Sequence, residues 1–192
     1  MQAYHDYMAK VGDRHQLYQT IQDHFQINTG LYPGSHIDIT PSYYVNHMMY
    51  VDQFKGTIKF FKQKDEILDA IKQFNNKATF DFYPQDYNQP LPIKNVDLII
   101  SLYAGFVGQA TKHYLRIGGI LLANDSHGDA SLAYLDDAYQ LIAVMHHHRI
   151  TTKNLDQYFI PVKRIDLLKI HETMKPPAYQ THATYYIFRK IK

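Results

Sequence analysis

The stretch Val96-Asp97-Leu98-Ile99-Ile100-Ser101-Leu102 constrains the fold more than any other part of the chain. It is a nearly continuous run of branched apolar residues, too short to span a bilayer and too unbroken for a strand with one wet face. Such a run reads as a strand buried on both sides, with helices packed over a sheet. Other strand candidates surround it. Gly30-Leu31-Tyr32 runs into the turn Pro33-Gly34-Ser35, and His47 to Val51 is a second short strand. Lys77 to Tyr83 alternates in strand fashion and stops at Pro84. Ile120 to Ala123, punctuated upstream by Gly118-Gly119, Tyr139 to Met145 and Ala183 to Arg189 complete a set of seven.

Helical periodicity separates these strands. Asp13 is placed to cap a helix reaching about Gln26, with Leu17, Ile21 and Phe25 as its apolar stripe. Pro41 and Ser42 suit the start of a short helix. Ile67, Leu68, Ile71 and Phe74 mark an amphipathic helix, and Val107, Ala110 and Tyr114 another. Strand–helix alternation implies crossover connections and parallel pairing. After Met145 the rhythm fails: no convincing helix follows, and Pro176-Pro177 marks a loop. That pattern suits an antiparallel strand pair closing one edge. The expected fold is α/β: a Rossmann-like three-layer α/β/α sandwich with a mostly parallel seven-stranded sheet and an antiparallel C-terminal strand. The 192 residues contain no repeat or dividing linker, so residues 1–192 read as a single domain with a helical extension over about 1–28.

The chain has no cysteine, which excludes disulfides, thiolate nucleophiles and cysteine-ligated zinc. Residues 1–16 are polar and mixed in charge, and no apolar run approaches the ~18 residues of a membrane span. A cytoplasmic protein without membrane contact is expected. A net charge of +2 does not indicate nucleic acid. Its basic excess gathers late, at Lys163, Arg164, Lys169, Arg189, Lys190 and Lys192.

Open α/β sheets bind ligands beyond the carboxyl ends of their strands. Gly34 stands at the first such exit, where it lets backbone approach a ligand closely. Asp52 follows eighteen positions later, at the next exit. A carboxylate at that spacing can accept both hydroxyls of a ribose; capping the following helix is its alternative role. Asp86, beside Tyr87, could accept from an adenine amino group or lie in a surface loop. Ser101-Leu102-Tyr103-Ala104-Gly105 leaves the central strand with small residues that keep a cleft open.

These four exits together resemble class I S-adenosylmethionine-dependent methyltransferases, over roughly Thr29 to Lys192. The resemblance implies S-adenosylmethionine as cofactor. It places Tyr32, Gly34 and Ser35 beside the methionine part, Asp52 with Gln53 at the ribose, Asp86 with Tyr87 at the adenine, and Ser101, Leu102 and Tyr103 facing the reactive methyl. A small-molecule or unassigned methyl acceptor is the implied partner. The family's GxGxG loop is replaced by Tyr-Pro-Gly-Ser, and the Asn/Asp-Pro-Pro-Tyr signature of base methylation is absent. A non-catalytic module therefore stays open as an alternative; a NAD-linked oxidoreductase shares the turn and the ribose carboxylate but is disfavoured by the absence of GxGxxG. No catalytic residue is singled out; Tyr103, Asp125 and His127 are candidates for lining an acceptor pocket. No metal is expected. His146-His147-His148 would point to alternating faces of a strand, and Asp125-Ser126-His127-Gly128-Asp129 reads better as a polar loop than as a ligand set.

Overall fold

The boundary between two units of the chain falls in its proline-rich stretch, at Leu91-Pro92. The computed structural model describes residues 1–146 and 149–192. In the first unit come α1 (Gln2–Val11), α2 (His15–Phe25), β1 (Thr29–Pro33), a 3-10 turn at Thr40–Tyr43, β2 (His47–Val51), α3 (Lys55–Phe61), α4 (Lys64–Lys72) and β3 (Thr79–Tyr83). β1 and β3 both pair with β2 in parallel, so Leu31, Met49 and Asp81 share one row. The intervening segments must return to the starting end of the sheet, which is what α3 and α4 do between β2 and β3. Leu17 and Ile21 of α2 are buried with Leu31, Met48, Tyr50, Ile67 and Ile71.

The second unit carries β4 (Val96–Ser101), α5 (Val107–Thr111), β5 (Leu115–Ala123), α6 (Asp129–Leu135), β6 (Tyr139–His146), β7 (Arg149–Thr151), α7 (Leu167–Thr173) and β8 (Tyr185–Lys190). β4 and β5 are parallel; β8 lies between β5 and β6 and is antiparallel to both, and β7 is antiparallel to β6. Leu98, Ile99 and Ile100 of β4 are fully buried, as the apolar run requires.

The fold class is the expected one, a Rossmann-like α/β sandwich, and β8 enters antiparallel. Three details differ. Eight strands stand among the described residues rather than seven, because β7 has only three residues and no period to read. Gly118 and Gly119 do not end a segment: they sit inside β5, where the register shifts. A Cβ on Gly119 would lie 2.9 Å from the backbone Arg116 O, so the chain needs glycine there. Finally, helix does form after Met145. α7 buries only Ile170, too little for a periodic signal, and is capped by Asp166, whose side chain accepts from the Lys169 N–H. α3 and α6 are equally silent in the pattern, and Asp13 stands one residue before the N-cap of α2.

Candidate functional site

Parallel pairing brings the exits of β1, β2 and β3 to one end of the first unit. The Gly34 N–H donates to Val51 O at 2.8 Å, and the Asp52 N–H to Tyr83 O at 3.2 Å, stitching the three exits side by side. Gly34 turns at a φ of 63°. Asp52 is half-buried, and both of its carboxylate oxygens are held: Oδ2 accepts from the His36 N–H at 2.9 Å and Oδ1 from the Phe54 N–H at 2.7 Å. The N-cap of α3 is Phe54, without a side-chain cap bond, so Asp52 ties two loops together and does not cap that helix. Each oxygen keeps a further lone pair for an incoming hydroxyl.

The loop after β1 is built around Asp38, which the sequence reading passed over. Its fully buried carboxylate pairs with Arg14 Nη1 at 2.7 Å and accepts from the Tyr32 hydroxyl at 3.3 Å and the Thr40 N–H at 3.1 Å. Tyr32 is accordingly a core residue, and Ser35 is buried beside it. His36 has a φ of 48° and is wedged between Tyr7, edge-on at 4.9 Å, and Thr57, whose hydroxyl lies 3.0 Å from Nδ1. A non-glycine residue held left-handed costs about 1–3 kcal/mol, and such positions cluster at binding sites. Gln53 is exposed beside Asp52. Asp86 is half-buried and accepts from the N–H and Nδ2 of Asn88, both at 2.9 Å, with Tyr87 half-buried next to it.

In the second unit the exits of β4 and β5 lie together. Ser101 is buried and donates its hydroxyl to Asp129 Oδ2 at 2.5 Å; Leu102 is buried too. Tyr103 is 57% exposed at a φ of 61°, the second non-glycine left-handed residue at a strand exit. Its N–H reaches Asn124 Oδ1 at 3.4 Å, the oxygen that also accepts from Ser126 Oγ at 3.0 Å. These donors fix the orientation of the buried Asn124 amide and leave Nδ2 without a partner among the described residues. Tyr103, Asn124, Asp125, Ser126 and His182 line a pocket of about 300 Å³. Asp125 accepts from the N–H and hydroxyl of Ser131 at 2.8 and 2.7 Å, and burial pushes its carboxyl above the ordinary value. Burial does the same to Asp129, raised to about 6 against the opposing bonds from Ser101 and Gly108. His127 is half-buried, its Nδ1 2.9 Å from Ser126 Oγ. Of the histidine triplet, His146 approaches Thr184 Oγ1 at 3.5 Å, while His147 and His148 lie outside the described residues. No group of three metal-ligating side chains is gathered among the described residues. Nor, among them, is any helix long and apolar enough to cross a membrane.

No protein-family model matches the chain, and no curated protein matches it in sequence. Solved structures match its fold. A methyltransferase from Geobacter sulfurreducens superposes with a TM-score of 0.56 at 9% identity, covering 100% of this chain and 87% of that one. An S-adenosylmethionine-dependent methyltransferase from Clostridium acetobutylicum gives 0.53 at 11% identity, covering 100% and 97%. The N-methyltransferase NodS from Bradyrhizobium japonicum, in complex with S-adenosylhomocysteine, gives 0.51 at 12% identity, covering 93% and 86%. The chain thus has the fold of class I S-adenosylmethionine-dependent methyltransferases.

Proposed function

We propose that the chain is an S-adenosylmethionine-dependent methyltransferase acting on a small molecule in the cytoplasm. The observation that carries this reading is the state of Asp52. Two backbone N–H donors clamp its oxygens at 2.9 and 2.7 Å, so the carboxylate is fixed at the β2 exit before any ligand arrives. Preorganised acceptors of this kind bind hydroxyls without spending side-chain freedom. In this reading Asp52 holds the ribose, and Asp86 with Tyr87 meets the adenine. The Gly34–Ser35 turn, backed by the Arg14–Asp38 pair beneath Tyr32, lets backbone approach the methionine part. In the second unit, Ser101 and Leu102 anchor the β4 exit, and Tyr103 projects from it.

The cofactor supplies an electrophilic methyl carbon on a sulfonium. What remains for the protein is to align an acceptor and exclude water, and proximity provides much of the rate. A general base is needed only where the acceptor must lose a proton.

The test is Asp52→Ala. Each lost hydrogen bond to a charged acceptor costs roughly 1.5–3 kcal/mol, so S-adenosylhomocysteine should bind about tenfold to several hundredfold more weakly. The melting temperature should also fall, because the His36 and Phe54 N–H groups lose their acceptor. Affinity within about twofold of wild type, whatever the melting temperature, would overturn the ribose assignment.

A further inference from the structure

Half of the basic excess late in the sequence is gathered in one place. Lys163, Arg164, Lys169 and Lys175 line a single groove of about 720 Å³ in the second unit, within the size range of small-molecule sites. None of their four cationic heads has an ion-pair or hydrogen-bond partner among the described residues. Asp166 is the one acidic side chain of the lining, and its Oδ1 already accepts from the Lys169 N–H at 3.2 Å. The lining therefore carries a larger formal charge than the +2 of the whole chain. Like charges gathered without counter-ions repel one another, and an anion relieves that repulsion.

The groove is built rather than incidental. Ile170 in its floor is 3% exposed and packs on Gly128 so closely that a Cβ there would lie 2.9 Å from Ile170 Cγ2. The wall is held by the Val162 N–H on Ala178 O at 2.8 Å and the Gln180 N–H on Ile160 O at 3.0 Å. Pro176 and Pro177 line both this groove and the pocket at the β4 and β5 exits, so the two cavities share a rigid wall. Tyr179 extends the connection: its hydroxyl donates to Ser131 Oγ at 3.0 Å, and Ser131 donates to Asp125 at 2.7 Å.

We propose that this groove binds the anionic group of the methyl acceptor, a small molecule bearing phosphate or carboxylate on an apolar body. The ligand's role as methyl acceptor rests on the proposed methyltransferase function; the anion site does not.

Isothermal titration of the full chain with inorganic pyrophosphate, citrate and S-adenosylhomocysteine tests both parts. Wild type should bind pyrophosphate or citrate, the tighter one naming phosphate or carboxylate, and binding should weaken with salt. The double variant Lys163→Gln/Lys169→Gln should bind that anion at least about tenfold more weakly and S-adenosylhomocysteine unchanged. Equal anion affinity in the double variant, or no heat from either anion with wild type, overturns the site. Anion binding without S-adenosylhomocysteine binding overturns its assignment to a methyl acceptor. A single-stranded oligonucleotide or anionic vesicle that binds wild type, loses affinity in the double variant and is not displaced by pyrophosphate or citrate overturns the small-molecule ligand.

Discussion

Asp129 should contribute a stability that falls as the solution turns from acid to neutral. Its side chain is 1% exposed, with Oδ2 accepting from Ser101 Oγ at 2.5 Å and from the Gly108 N–H at 2.7 Å. Oδ1 is buried with no hydrogen-bond partner among the described residues. Burial outweighs the bonds from Ser101, Gly108 and Gln109 and lifts the carboxyl from 3.8 to about 6. A folded-state value above the unfolded one means that the folded chain binds the proton more tightly. Its contribution is therefore fully present below about pH 4 and is lost as the pH rises through about 6. Two units at about 1.4 kcal/mol each bound the effect near 3 kcal/mol, of which about 2 kcal/mol falls between about pH 4 and 7.5. Other carboxylates titrate in the same range, so the quantity to measure is a difference. Urea unfolding of wild type and Asp129→Asn, which keeps an oxygen for Ser101 and Gly108, should give stability curves that diverge by about 2 kcal/mol towards neutral pH, the variant gaining. Curves running parallel across that window would show that Asp129 titrates normally and that its burial carries no electrostatic cost.

Gly108→Ala should lower stability by about 1–2 kcal/mol, with the melting temperature falling by about 2–8 °C. Its Cβ would stand 2.8 Å from Asp129 Oδ2 and 2.9 Å from Leu121 Cδ2, and that crowding exceeds the roughly 1 kcal/mol gained in helix propensity. Asp52→Asn keeps one acceptor oxygen of two, so S-adenosylhomocysteine affinity should lie between wild type and Asp52→Ala in the same titration.

The legible parts of this fold are those where one residue type repeats at a fixed spacing. The run from Val96 to Leu102 is apolar at nearly every position because both faces of β4 are covered, and His47 to Val51 matches β2 residue for residue. β7 and α7 fail that test, being too short to show a period. The exits read differently. Gly34 and Asp52 are visible because a ligand-facing turn needs a left-handed glycine and a nearby carboxylate. Asp38 and Asn124 are not, since their importance comes from partners far along the chain: Arg14 twenty-four positions from Asp38, and Tyr103 twenty-one from Asn124. Nor could spacing reveal that Ser101 is turned inward, which depends on Asp129 twenty-eight residues later. The basic cluster was visible as composition, but only α7 and the Val162–Ala178 wall make it a groove.

The measurement that bears most directly on the account is titration of the wild-type chain with S-adenosylhomocysteine, S-adenosylmethionine and NAD at neutral pH. Saturable binding of both S-adenosyl compounds in the micromolar range is predicted, with a rise in melting temperature by mass action and no response to NAD. Absence of both binding heat and thermal shift with the S-adenosyl compounds, or a response to NAD alone, would contradict the assignment of Asp52 and the Gly34 turn to this cofactor.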